Sequence, residues 1–187
     1  MTTGRILNIP NILTLARIIL IPVFLLVAYW PPAMGFNETS PDVTRHIILT
    51  TIFVVAAVTD WFDGYLARTL NQTSAFGRFL DPVADKLMVA AALIVLVQWQ
   101  PSISMAFAAI VIISREITVS ALREWMAELG ARTSVAVSTV GKYKTAFQMI
   151  AITVFLLNWP PLEMLAYALL YTAVVLTLWS MFIYLKA

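Results

Sequence analysis

Four aspartates, Asp60, Asp63, Asp81 and Asp85, stand within 26 positions of a chain that has only 10 acidic residues. Each lies in or beside a strongly apolar stretch. Inside a bilayer such a charge costs at least ~2.5–3.5 kcal/mol on insertion scales. Four carboxylates without matching cations would repel one another and take up protons, and a divalent ion removes that conflict. Oxygen-only ligation by Asp selects a hard ion, Mg2+ or Mn2+, over zinc or copper. The chain has no cysteine, so thiolate catalysis and cysteine-bound zinc are excluded. Two ions bridged by shared carboxylates would suit four ligands, the arrangement that clamps the attacking and leaving oxygens of a phosphoryl displacement. Gly64 and Gly77 would let a substrate approach helix backbones closely, and Ala67 keeps the groove open one turn along. Arg68, permanently charged and fork-shaped, suits a phosphate.

The elements that carry these residues are helices. At about 100° per residue, Asp60, Asp63, Gly64 and Ala67 share one stripe, and Gly77, Asp81 and Asp85 form another at four-residue steps. Only a short loop separates the two, which makes them antiparallel neighbours with facing stripes. The plain alternative is a set of interhelical ion pairs with Arg68, Arg78 and Lys86. A cation channel or transporter is the other rival, but its carboxylates belong near the membrane midplane, and these lie toward one end with Arg and Gly.

The rest of the chain is written for lipid. Of 187 residues, 61% are hydrophobic and 12% charged, against about 25% charged in a soluble domain. A soluble globule of this size could not bury so much apolar surface. The net charge of +2 is too small to suggest nucleic acid. Trp30-Pro31-Pro32, Trp99-Gln100-Pro101 and Trp159-Pro160-Pro161 punctuate the sequence, with Trp at each suited to a membrane interface. Three such tips imply three helix pairs and six crossings of about 20 residues each: roughly 10–30, 45–69, 75–98, 102–128, 136–158 and 162–185. Of the 12 Lys and Arg residues, only Arg45 falls on the tip side. The positive-inside rule therefore puts both termini in the cytoplasm, with the polar 37–44 loop as the longest outer connection. Arg17 interrupts the first apolar run and no small-residue cleavage site follows Trp30, so this run reads as an uncleaved span. Residues 4–9 read as a short interfacial segment. The expectation is one all-α membrane domain over residues 1–187.

The string Asp60-x2-Asp63-Gly64-x2-Ala67-Arg68-x8-Gly77-x3-Asp81-x3-Asp85 resembles the signature of the CDP-alcohol phosphotransferase family at every one of its eight positions. The resemblance implies an integral membrane enzyme with six transmembrane helices that joins a CDP-linked donor to an alcohol and releases CMP. It implies that Asp60, Asp63 and Asp81 bind metal, that Asp85 binds metal and also acts as general base, and that Gly64, Ala67, Arg68 and Gly77 line the CDP site. It also implies a homodimer. Three further segments, 8–17, 115–130 and 138–148, resemble the bacterial phosphatidylglycerophosphate synthases of that family, residents of the cytoplasmic (inner) membrane. The expected donor is then CDP-diacylglycerol and the expected acceptor glycerol 3-phosphate; serine, inositol phosphate or phosphatidylglycerol are the alternatives within the family. A dianionic acceptor needs cations beyond those serving the donor, and Arg115, Arg123, Lys142 and Lys144 could supply them; some could instead be partners of Glu116, Glu124 and Glu128. Asn11, Thr14 and Arg17 lie where they could reach the nucleotide. The single histidine, His46, sits beside Arg45 on the outer side, which argues against a covalent phosphohistidine route and for an interface residue.

Overall fold

The computed structural model describes residues 9–30, 41–69, 75–128 and 139–186. Among them the backbone forms six α-helices: α1 Ile9–Ala28, α2 Pro41–Thr69, α3 Ala75–Trp99, α4 Ile103–Glu128, α5 Thr139–Leu157 and α6 Glu163–Lys186. A single 3-10 turn, Pro160–Leu162, precedes α6, and no strand occurs among the described residues. The expected interfacial segment at 4–9 lies outside the described residues except for Ile9, which opens α1.

Helix limits follow local chemistry. The sequence places the start of the second span at 45, but α2 begins at Pro41, so residues 41–44 are helical rather than part of the loop expected at 37–44. Proline is pre-set for a first helical position. At the far end of α5, Asn158 takes a left-handed φ of 51°, and Pro160 two residues on cannot extend the helix. Ser102 caps α4: its Oγ accepts the Met105 amide at 3.1 Å. His46, expected at the membrane interface, is half-buried and hydrogen-bonded at both ring nitrogens. Its Nδ1 lies 2.9 Å from the Leu156 carbonyl, which can only accept, so Nδ1 donates; Nε2 then accepts from Asn158 Nδ2 at 3.2 Å. The imidazole thus closes the C-terminal turn of α5.

The chain divides into two compact units, Met1–Val95 with Leu156–Asn158, and Leu96–Phe155 with Trp159–Ala187. In the first, α1 packs along α2. The buried residues of α1 include Thr14, Arg17, Phe24 and Ala28, and those of α2 include Leu49, Phe53 and Ala56, spacings that keep one side of each helix inward. On α3 the buried stripe runs through Ala84, Met88, Ala91 and Val95. In the second unit α4 packs on α6. Ala108 and Ala109 on α4, with Ala166 and Ala173 on α6, are buried, and small side chains let helix backbones come close where lipid supplies no hydrophobic drive. Phe155 meets Tyr167 edge-on at 4.9 Å.

Among the described residues, four stretches are long and apolar enough to cross a membrane: Asn11–Ala28, Val43–Phe62, Ile103–Leu122 and Pro160–Phe182. The apolar part of α5, Tyr143–Leu157, is shorter. Large apolar side chains such as Ile19, Leu26, Ile110, Ile117, Trp179 and Phe182 stand exposed along these helices, a surface that suits acyl chains rather than water.

Candidate active site

The inward stripe of α2 continues in steps of three and four from Leu49, Phe53 and Ala56 to Asp60, and that of α3 carries Asp81 one turn before Ala84. Both carboxylates meet α1. Arg17 Nη1 donates to Asp60 Oδ1 at 2.6 Å, and Thr14 Oγ1 donates to Asp81 Oδ1 at 2.5 Å. Thr14 and Arg17 are three residues apart, a rise of about 4.5 Å along the helix. Asp60 of α2 and Asp81 of α3 therefore converge on a single turn of α1. The arginine is 1% exposed while its carboxylate partner is 42% exposed. The charge that cannot hydrate is thus paired, and the aspartate keeps an open side. Asp85 is half-buried on the next turn of α3 and is engaged as well, and Gly77 is buried. Asp63, Gly64, Ala67 and Arg68 lie on the α2 helix, but their side chains, like that of Arg78, fall outside the described residues.

Arg17 alters the expectation that the aspartates lack a matching cation. Sequence reasoning placed Asn11, Thr14 and Arg17 near the nucleotide without tying them to the carboxylates. The signal was present: three polar residues at three-residue steps in an otherwise apolar helix, all three buried.

In the second unit the inward stripes end in polar groups. Arg115 follows Met105, Ala108 and Ile112 on α4; Thr177 and Ser180 follow Leu170 and Ala173 on α6; Lys144 and Gln148 precede Ile152 on α5. Arg115 Nη2 donates to Ser180 Oγ at 2.6 Å and its Nη1 to Glu116 Oε1 at 3.3 Å. Lys144 Nζ donates to the same Glu116 oxygen. Two of the four expected acceptor cations, Arg115 and Lys144, are thereby brought together around Glu116. The side chains of Arg123 and Lys142 lie outside the described residues. Glu116 enters the sequence reading only as a possible neutralising partner, and Ser180 does not enter it, because a serine near the end of an apolar helix carries no chemical signature of its own.

The model of one protein family, CDP-alcohol phosphatidyltransferase, matches residues 7–179. This chain belongs to that family. The match spans all eight motif positions and also Thr14, Arg17, Arg115, Glu116 and Lys144. A Haemophilus influenzae protein named CDP-diacylglycerol–glycerol-3-phosphate 3-phosphatidyltransferase is 52% identical over 180 residues, 96% of this chain and 92% of its own length. Proteins of the same name from Escherichia coli K12 and Pectobacterium atrosepticum are each 52% identical over 183 residues, 96% of this chain and 94% of theirs.

The donor set of this family member suits a hard divalent cation. Asp60 and Asp81 present oxygens alone, are held on one turn of α1, and Asp60 stays partly open. Among the described residues no three carboxylate or imidazole side chains are grouped so as to hold a metal ion; the side chain of a further aspartate of the motif, Asp63, lies outside the described ones.

Proposed function

We propose that this chain transfers the phosphatidyl group of CDP-diacylglycerol to the 1-hydroxyl of sn-glycerol 3-phosphate, giving phosphatidylglycerol phosphate and CMP. The activity carried by the names of relatives 52% identical over 96% of the chain supports this reading. The structural observation behind it is the convergence of Asp60 and Asp81 on Thr14 and Arg17.

Asp60, Asp63, Asp81 and Asp85 would hold Mg2+ or Mn2+, two ions for four carboxylates. Bound there, the metal supplies charge neutralisation for the donor's pyrophosphate and for the departing CMP. Arg17 and Thr14 each fix one oxygen of an aspartate, so those ligands keep their orientation. Asp85 accepts the proton of the acceptor hydroxyl, whose oxygen attacks the phosphorus bearing diacylglycerol; the bond from that phosphorus to CMP breaks. Gly64, Ala67, Arg68 and Gly77 line the CDP site. Arg115 and Lys144, with Arg123 and Lys142, bind the acceptor's phosphate. Positioning and charge neutralisation carry most of the acceleration, as in phosphoryl transfer generally.

Diacylglycerol chains and surrounding lipids cover the exposed apolar flanks. The chain crosses the bacterial inner membrane six times with both termini cytoplasmic, and it works as a homodimer. The deciding experiment supplies the purified protein with CDP-diacylglycerol, Mg2+ and one acceptor at a time. CMP release with glycerol 3-phosphate, and little with serine, inositol phosphate or phosphatidylglycerol, is the expected outcome. Release favouring another acceptor would reassign the substrate, and ion flux in proteoliposomes without CMP release would replace the enzyme by a transporter.

A further inference from the structure

The buried ion cluster of the second unit is unevenly shared. One oxygen, Glu116 Oε1, serves both Lys144 Nζ and Arg115 Nη1, the latter at 3.3 Å. Arg115 has a firmer anchor in Ser180, at 2.6 Å. Two cations face one carboxylate, so these three side chains carry a charge of +1. Exposure is uneven too: Lys144 is 4% and Arg115 7% exposed, against 22% for Glu116. A buried ammonium cannot turn to water for hydration, whereas a partly exposed carboxylate can. The member able to give up its partner is therefore Glu116. One turn along α5 from Lys144, Gln148 is buried with an Oε1 that accepts no hydrogen bond among the described residues, so an acceptor for a hydroxyl lies close by.

We propose that Glu116 competes with the acceptor's phosphate for Lys144, and so sets the affinity and the charge selectivity of the acceptor site. The inference rests on the assignment of Lys144 and Arg115 to that phosphate. A phosphate monoester brings more negative charge than one carboxylate and more oxygens, so it can take Lys144 and the Nη1 edge of Arg115 together. A neutral or zwitterionic alcohol has nothing with which to displace Glu116. Ser180 keeps Arg115 in place through the exchange. The apparent affinity is then the intrinsic one reduced by the fraction of molecules in which Lys144 is released.

The test compares Glu116→Gln with the unaltered protein by two readouts. One is KM for glycerol 3-phosphate in CMP release; the other is the inorganic phosphate concentration giving half of the maximal shift in thermal unfolding, with neither substrate present. Competition lowers both by about tenfold and leaves KM for CDP-diacylglycerol unchanged. A Glu116 that only braces the two cations raises both. That result, no change in either, or no phosphate response in either protein overturns the proposal. If Glu116→Gln does not fold, Glu116→Asp, which keeps the charge but withdraws it by one methylene, moves the same readouts downward by a smaller factor; a rise or no change overturns the proposal equally. Should the unaltered protein release CMP with a different acceptor only, the substrate assignment above fails, and the phosphate response still decides the competition.

Discussion

Asp85 and Arg17 contribute to the proposed reaction in different ways, and substitution separates them. Asp85 has a job at the reacting hydroxyl that a neutral amide cannot do. Asp85→Asn is expected to abolish CMP release while the protein elutes and unfolds thermally as before; near-normal turnover would remove Asp85 as the base. Arg17 donates to Asp60 at 2.6 Å and in the proposed reaction acts through it. Lysine keeps the charge but not the planar fork. Arg17→Lys is therefore expected to lower turnover by about 10–100-fold, the range for partners of metal-ligating groups. It should also raise the Mg2+ concentration needed for half-maximal rate, which a general loss of folding would not do. A variant with lowered turnover but an unchanged Mg2+ requirement would make Arg17 a packing residue only. The aspartates were legible in the sequence because charges among apolar residues need a reason. Their partner was not, because Arg17 is 43 positions from Asp60 and also fits as one more flanking positive charge.

Helices turn isolated residues into a site by periodicity. A stripe that buries Leu49, Phe53 and Ala56 must deliver Asp60 to the same side, and a stripe that buries Ala84 and Met88 must deliver Asp81. This logic made most helix limits readable from apolar runs and Trp-Pro tips. It failed at the start of α2, where Pro41 and Asp42 initiate a helix while looking like loop residues. It also missed the closure of α5, since His46 and Leu156 are 110 positions apart. His46→Ala removes the donor to the Leu156 carbonyl and is expected to cost about 1 kcal/mol, seen as a lower thermal midpoint in detergent. CMP release should survive. Loss of turnover at full stability would instead bring back a covalent histidine route.

For the whole molecule, the charge distribution predicts orientation. Because the chain has no cysteine, single cysteines report topology without background. Asn37→Cys should react with an impermeant maleimide on intact spheroplasts, and Thr133→Cys only after permeabilisation; the opposite pattern would invert the orientation. Composition, helical period and the eight-position motif by themselves determined the class of protein, six helices, the acidic residues at issue and the family. These are local or additive properties, read along one chain without knowing what touches what. The tertiary structure alone decided that Thr14 and Arg17 hold Asp81 and Asp60, that Glu116 shares one oxygen between Arg115 and Lys144, and that Ser180 anchors the arginine. Apart from the adjacent Arg115 and Glu116, those pairings join residues 28 to 67 positions apart. Which buried polar group meets which depends on how the helices pack side by side, and an apolar stripe says which face turns inward without naming its neighbour.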